Sequence, residues 1–365
     1  MHAADPDPLT CRTAELRQCD MTVDAPSYYS EYFGHPVRDL EEVVQSLRAQ
    51  GKRLVWTAGD SSLDNKVWFN ESHDAVNGYE SILRPPVMKA DVTYWLNHFM
   101  AERGSASGAA PLAAVNTAIE ATSLNDRACT RLLAQDRLIR DHIGPEDVLI
   151  VSVGGNDVAL QPLLCTCASM CALVYCGGPV ACIERCACAF PPNSGVLGEL
   201  GCLACGVPNC VTGGLCGWPI GFPYMVDLFK HRVGNYVRRL VGKTKPRKVL
   251  ICMIYHLDER ATGSWADGAL SCLCYDACPA RLQAGIEAAF IHATSQIQID
   301  GTEVVPFPLF RVLDGKTSGD YCQRVEPSPQ GGRKMAAALL DVAAAPSGTT
   351  FSDFISTPGA QRVAR

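Results

Sequence analysis

The sequence predicts an α/β chain, a doubly wound parallel sheet with helices on both faces. Three observations predict it. Five short apolar runs recur along the chain, and between them lie segments whose apolar residues fall at helical spacing. The third observation is one of scale: 365 residues, 47% of them hydrophobic and 19% charged, suffice for a large core.

The first helix is expected over 37–50, where Val37, Leu40, Val43, Val44 and Leu47 share a face and Gly51 supplies the stop. Lys52–Ala58 follows as the first strand. A helix over Met88–Glu102 leads to the second strand, Pro111–Val115, and one over Leu124–His142 to the third, Asp147–Val153. Met225–Val241 precedes the fourth strand, Lys248–Ile254, and Pro279–Ser295 precedes the fifth, Thr302–Phe307. Gln330–Val342 is the last helix. The third and fourth runs are continuously apolar and rich in β-branched residues, as parallel strands covered on both faces tend to be. Right-handed crossovers then join consecutive strands.

The compositional anomaly is cysteine. There are 19, and eleven of them lie between Cys165 and Cys216. That stretch also holds Gly177-Gly178-Pro179, Pro191-Pro192 and Gly213-Gly214, so it reads as an insertion in the larger fold. The organisation is therefore an N-terminal extension over 1–36, an α/β domain over 37–345 with a Cys-rich lid over 161–224, and a tail over 346–365. Extension and tail carry weak patterns and are expected to be peripheral. Met1–Asp5 shows no apolar leader, so no signal peptide is read.

Three readings of the insertion stand open. A disulfide-knitted lid is preferred, and it would place the chain outside the cell or in an organelle lumen. The second is an apolar flap with free thiols that touches lipid. A zinc site is the third, on Cys202 and Cys205, although that single pair lacks a partner pair and the insertion has no histidine. A second cluster, Cys272, Cys274 and Cys278, is a further source of pairing. The odd total leaves at least one thiol unpaired within the chain.

Charge narrows the function classes. Thirty-two basic residues face 38 acidic ones, a net charge of −6, which argues against a nucleic-acid partner. No run of ~18 apolar residues marks a spanning helix.

In open parallel sheets, ligands bind beyond the carboxyl ends of the strands. After the first strand comes Gly59-Asp60-Ser61-Ser62, and after the third comes Gly154-Gly155-Asn156-Asp157. Tyr255-His256-Leu257-Asp258 follows the fourth, and Asp320 to Ser328 lies beyond the fifth. Each motif alone reads as a turn or a helix cap. Their joint placement at neighbouring strand ends points to a site.

In these motifs the sequence resembles the SGNH (GDSL-type) serine hydrolases over about Leu54 to Leu340, apart from the insertion. Gly59-Asp60-Ser61 matches the family's first block and Gly154-Gly155-Asn156-Asp157 its third. The frame from Glu326-Pro327-Ser328 to Met335-Ala336 matches its last. The resemblance implies the SGNH hydrolase fold, with a flavodoxin-like five-stranded sheet. It makes Ser61 the nucleophile and Asn156 an oxyanion donor, with Gly59, Asp60 and Gly155 shaping the loops. A serine on a tight strand-to-helix turn exposes its Oγ and brings its own N–H towards a developing oxyanion. Asp157 is expected to brace its loop.

Two departures from the family pattern matter. Where the second block supplies a glycine, this chain has Glu120 or Ala121; Glu120 would put negative charge beside the oxyanion, unless it points away or bonds the Ser61 loop. The last block normally reads Asp-x-x-His, and here its ends are Gln323 and Glu326. Glu326 with a raised pKa, or His256 reaching in from the fourth strand, would then supply the base, and Asp258 or Asp320 would orient it.

The expected function is cleavage of a carboxylic ester through an acyl-enzyme on Ser61. The apolar lid suggests a lipid or other apolar acyl substrate and would allow peripheral membrane contact. No cofactor and no metal is implied. The alternative is a catalytically altered descendant that binds an apolar ligand.

Overall fold

The computed structural model describes residues 22–104, 110–128, 131–160, 164–189 and 217–355. Its centre is a five-stranded parallel sheet of β1 (Arg53–Gly59), β2 (Leu112–Asn116), β3 (Val148–Ser152), β4 (Lys248–Met253) and β5 (Glu303–Pro308). Spatially the strands run β2-β1-β3-β4-β5, every pair parallel. This is the flavodoxin-like order that the sequence predicted, and each strand falls within a residue of its apolar run.

Side chains alternate across the sheet, so each strand feeds two cores. On one face Val55, Ala114, Ile150, Leu250 and Phe307 meet α2 (Val92–Arg103) and α9 (Pro329–Ala344) through Val92, Leu96, Met335 and Leu339. On the other, Trp56, Val115, Leu149, Val151 and Ile251 meet α1 (Val37–Ala49), α3 (Ala134–His142), α7 (Val233–Leu240) and α8 (Pro279–His292). Leu40, Val43, Val44 and Leu47 of α1 are all buried, each worth ~1.5–3 kcal/mol. Buried Asp147 ties these layers together. It accepts from Leu54 N at 2.9 Å and Trp56 Nε1 at 3.0 Å and pairs with Arg48.

The helix expected over Leu124–His142 is shorter, starting at Ala134, because the segment from Ser123 is a loop pinned by Asp126 and Arg127. The described part of the N-terminal segment is not peripheral. Within residues 22–36, Val23, Ala25, Tyr28 and His35 are buried. Nor is the start of the C-terminal tail, where Phe351 packs on Phe307 with ring centroids 4.6 Å apart.

A short helix, α4 (Gly155–Ala159), leads into the insertion, whose described part contributes α5 (Leu164–Cys176), α6 (Val180–Cys186) and a small antiparallel pair, Cys188–Ala189 with Gly217–Trp218. Met170, Leu173, Val174 and Ile183 are buried, so these helices pack as core and leave cysteines at their margins. All eleven cysteines described with side chains are free thiols, so the expected disulfides do not form among them. Cys202 and Cys205, the residues of the zinc reading, lie outside the described residues. No single helix among the described residues is long and apolar enough to cross a membrane.

Candidate active site

The site begins at the end of β1. Gly59 has φ +132°, and a Cβ built there would stand 1.7 Å from the Ser152 carbonyl oxygen. Only glycine lets β1 approach β3 this closely and then turn sharply. The turn delivers Ser61, whose Oγ donates to Glu326 Oε1 at 3.0 Å across 265 residues of sequence. The two are buried, at 8% and 6% exposure.

Glu326 reaches Ser61 because its segment is anchored on every side. Glu326–Pro327 pairs antiparallel with Tyr321–Cys322. Asn65, four residues past the serine, donates its side-chain amide to the Pro327 carbonyl. Fully buried Arg324 bonds the Asp258 carbonyl at 3.0 Å, Asp267 at 3.0 Å and Asp276 at 2.6 Å. Ser328 then caps α9 by accepting from Gly331 N at 3.2 Å.

The electrostatics follow from this burial. Desolvation first, then the Asp60 and Glu120 charges, pushes Glu326 up to about 8; the Ser61 hydrogen bond opposes the shift. Its second oxygen, Oε2, is buried and has no hydrogen-bond partner. Asp60 is itself raised to about 6 by burial, and it accepts from the Ser62 N–H and hydroxyl at 3.1 and 2.7 Å.

Ser61, Glu326, Gly155, Asn156 and Tyr255 line one cavity of about 70 Å³; Asp60 and Ser62 also border it, and the rest of its wall is apolar. Met170 of α5, together with Leu282 and Ile286 of α8, forms part of that wall, so the insertion borders the serine. Asn156 donates to the Thr122 carbonyl at 2.9 Å through an amide nitrogen that carries two hydrogens. Asp157 turns away from the cavity; it accepts from Leu124 N at 2.7 Å and from Arg232 at 3.2 Å. Gly154 and Gly155 open α4, with Gly154 at φ +108°.

Glu120 also points away from Ser61. It pairs with Lys66 and accepts from Gly34 N at 2.6 Å, so its charge is offset at the far end of the Ser61 loop. Burial and Asp64 raise it to about 7, against the pull of Lys66. Ala121 takes φ +55°, a left-handed backbone that glycine adopts more readily.

His256 is not brought to the serine. Tyr255 faces the cavity, and the next residue of an extended chain points the other way. The His256 ring stacks on Phe310 at 5.4 Å, and its Nε2 lies 3.7 Å from Glu287. Burial lowers it to about 4. The expected orienting carboxylates are engaged elsewhere: Asp320 with Lys334 at 2.7 Å, and Asp258 with the Ser318 hydroxyl at 3.0 Å.

Several supporting residues carry no sequence motif of their own. Arg127, fully buried, reaches the Gly59 carbonyl at 3.1 Å and Thr122 Oγ1 at 2.9 Å, joining the serine loop to the loop after β2. Lys66 and Asn65 follow Ser61 closely in sequence, and Arg324 precedes Glu326 by two residues. That proximity is the one signal that marked them.

No protein-family model and no curated protein matches the chain. Among solved structures it is similar to a carbohydrate acetylesterase from Sinorhizobium meliloti, at 14% identity over 80% of this chain and 99% of that one, with a TM-score of 0.37. It is also similar to a lipase/acylhydrolase from Enterococcus faecalis, at 9% identity over 80% and 94% of the two chains, TM-score 0.34. An inhibitor-bound aryl esterase from M. smegmatis matches at 12% identity over 80% and 98%, TM-score 0.34.

Proposed function

We propose that the protein hydrolyses carboxylic esters through a Ser61–Glu326 dyad. The observation that carries this is the buried hydrogen bond from Ser61 Oγ to a carboxylate whose proton affinity is raised to about 8. An ordinary carboxylate near 4.3 is a weak base for an alcohol, whereas one near 8 is matched to mildly alkaline water.

Ser61 Oγ attacks the acyl carbon as Glu326 takes its proton. The Ser61 N–H and the second N–H of Asn156 hold the oxyanion. The tetrahedral adduct expels the alcohol, which leaves with the proton from Glu326. Water then gives its proton to Glu326 and attacks the acyl-serine, and the acid departs as Ser61 recovers a proton. The cavity has room on the order of five waters at the ~10–15 Å³ that each needs. That volume suits a short apolar acyl group, and a longer lipid chain requires Met170 and the insertion to shift.

A second reading has one observation behind it. With Glu326 near 8, only about a tenth of it is ionised at pH 7, so the pocket at neutral pH resembles an apolar binding site with an idle serine. Fluorophosphonate labelling and p-nitrophenyl acetate turnover at pH 9, in wild type and Ser61→Ala, separate the two. Labelling and turnover that vanish in Ser61→Ala support the enzyme; neither activity in wild type supports the binding protein.

A further inference from the structure

A second cluster of buried polar groups lies behind the serine loop, outside the cavity, and the dyad makes no use of it. His35 comes from the N-terminal segment, Asp64 from the loop after Ser61, and Asp91 from the N-cap of α2. One ligand atom from each lies within 4.8 Å of the others. All three residues are at most 2% exposed.

The hydrogen bonds leave this cluster short of positive charge. His35 Nδ1 lies 2.6 Å from the Tyr28 carbonyl oxygen, a contact that requires Nδ1 to carry the proton. That assigns a bare lone pair to Nε2, which is buried and has no partner. Asp64 Oδ2 takes Lys66 at 2.7 Å, while Asp64 Oδ1 is buried with no partner. Asp91 accepts from Tyr94 N at 2.7 Å and Asn116 Nδ2 at 2.9 Å. Counting Glu120, three buried carboxylates share one buried lysine, and burial raises the proton affinity of Asp91 and Glu120, so the cluster is short of positive charge where solvent cannot reach it.

We propose that His35, Asp64 and Asp91 bind one divalent cation, a structural staple joining the N-terminal segment, the serine loop and α2. One imidazole and two carboxylates form a donor set of borderline-to-hard character, suited to Zn²⁺ or Mn²⁺. A ligating histidine characteristically donates its other ring N–H to a backbone carbonyl, as His35 does to Tyr28. The ion supplies the positive charge the cluster lacks, and the ring of Tyr28, stacked on His35 at 4.0 Å, walls the site with apolar surface.

The 19 cysteines would bind Zn²⁺, so Mn²⁺, which thiolates hold poorly, is the probe. Chelator-treated full chain, kept reduced, is held with Mn²⁺ for a day to allow local opening. The bound ion is counted by electron paramagnetic resonance, and its ¹⁴N couplings are read by spin-echo modulation. The expected result is one equivalent with a single imidazole nitrogen, a rise in Tm, and binding weakened at least about 100-fold in His35→Gln and in Asp64→Asn. No stoichiometric Mn²⁺ in wild type overturns the proposal, as does bound Mn²⁺ without imidazole coupling, or a high-resolution structure of the Mn²⁺-treated protein with an ordered water at this position. The nitrogen coupling is read on wild type, so the test stands even if a variant fails to fold.

Discussion

Replacing Glu326 with glutamine should disarm the dyad and steady the fold at the same time. The amide keeps the shape and leaves an oxygen to accept the Ser61 hydroxyl, now 3.0 Å from Oε1, but it cannot take the proton. General-base assistance is worth about 10²–10⁴-fold, or roughly 3–5 kcal/mol of activation free energy. The comparison belongs at pH 9, where about nine-tenths of Glu326 is ionised. In wild type, kcat/KM should climb with pH through about 8 and level off above it, and Glu326→Gln should abolish that rise.

Stability moves the other way. The unfolded chain releases this proton near 4.5, and the folded protein keeps it until about 8. Across that window the folded state binds more protons, so wild-type stability falls as pH rises, by up to about 1.4 kcal/mol per pH unit from this one group. Glu326→Gln carries no such penalty, so its stability advantage over wild type should widen from pH 5 to pH 8. Ester turnover against pH and urea unfolding at both pH values supply the assays. Turnover within about threefold of wild type at pH 9, or a stability difference independent of pH, would refute the assignment of Glu326 as a buried base.

Asn156→Ala should lower kcat by about 10²–10³-fold with little change in KM, and a loss under fivefold would remove Asn156 from the oxyanion site. His256→Ala should leave ester turnover within about threefold, because its ring lies against Phe310 and Glu287; a hundredfold loss would restore it as the base. Gly59→Ala should lower Tm sharply, since a collision at 1.7 Å adds to backbone strain of ~1–3 kcal/mol; an unchanged Tm would contradict the tight β1–β3 approach. Thiol titration in denaturant without reductant should find at least the eleven free thiols described, and a count well below that would restore the disulfide reading.

The sequence by itself determined the sheet. Its strands are continuous apolar runs, and a strand buried on both faces announces itself locally, since every side chain must leave water. Ser61 and Asn156 were legible for a related reason. Each sits where a strand stops and a glycine allows the turn, and both signals lie within a few residues. The end of the last block was legible as a position, Glu326, but its contact with Ser61 was not. Whether Glu326 or His256 met the serine depended on which way two side chains pointed, and the alternation at Tyr255 and His256 decided it only once β4 had its neighbours. The buried standing of Glu120, Lys66 and His35 was equally invisible, as was the weave of Arg127 and Arg324 behind the loops. The physical reason is that proton affinity and ion pairing depend on distances between charges and on their removal from water. Residues 265 positions apart acquire those distances only when the sheet has brought its strand ends to one rim.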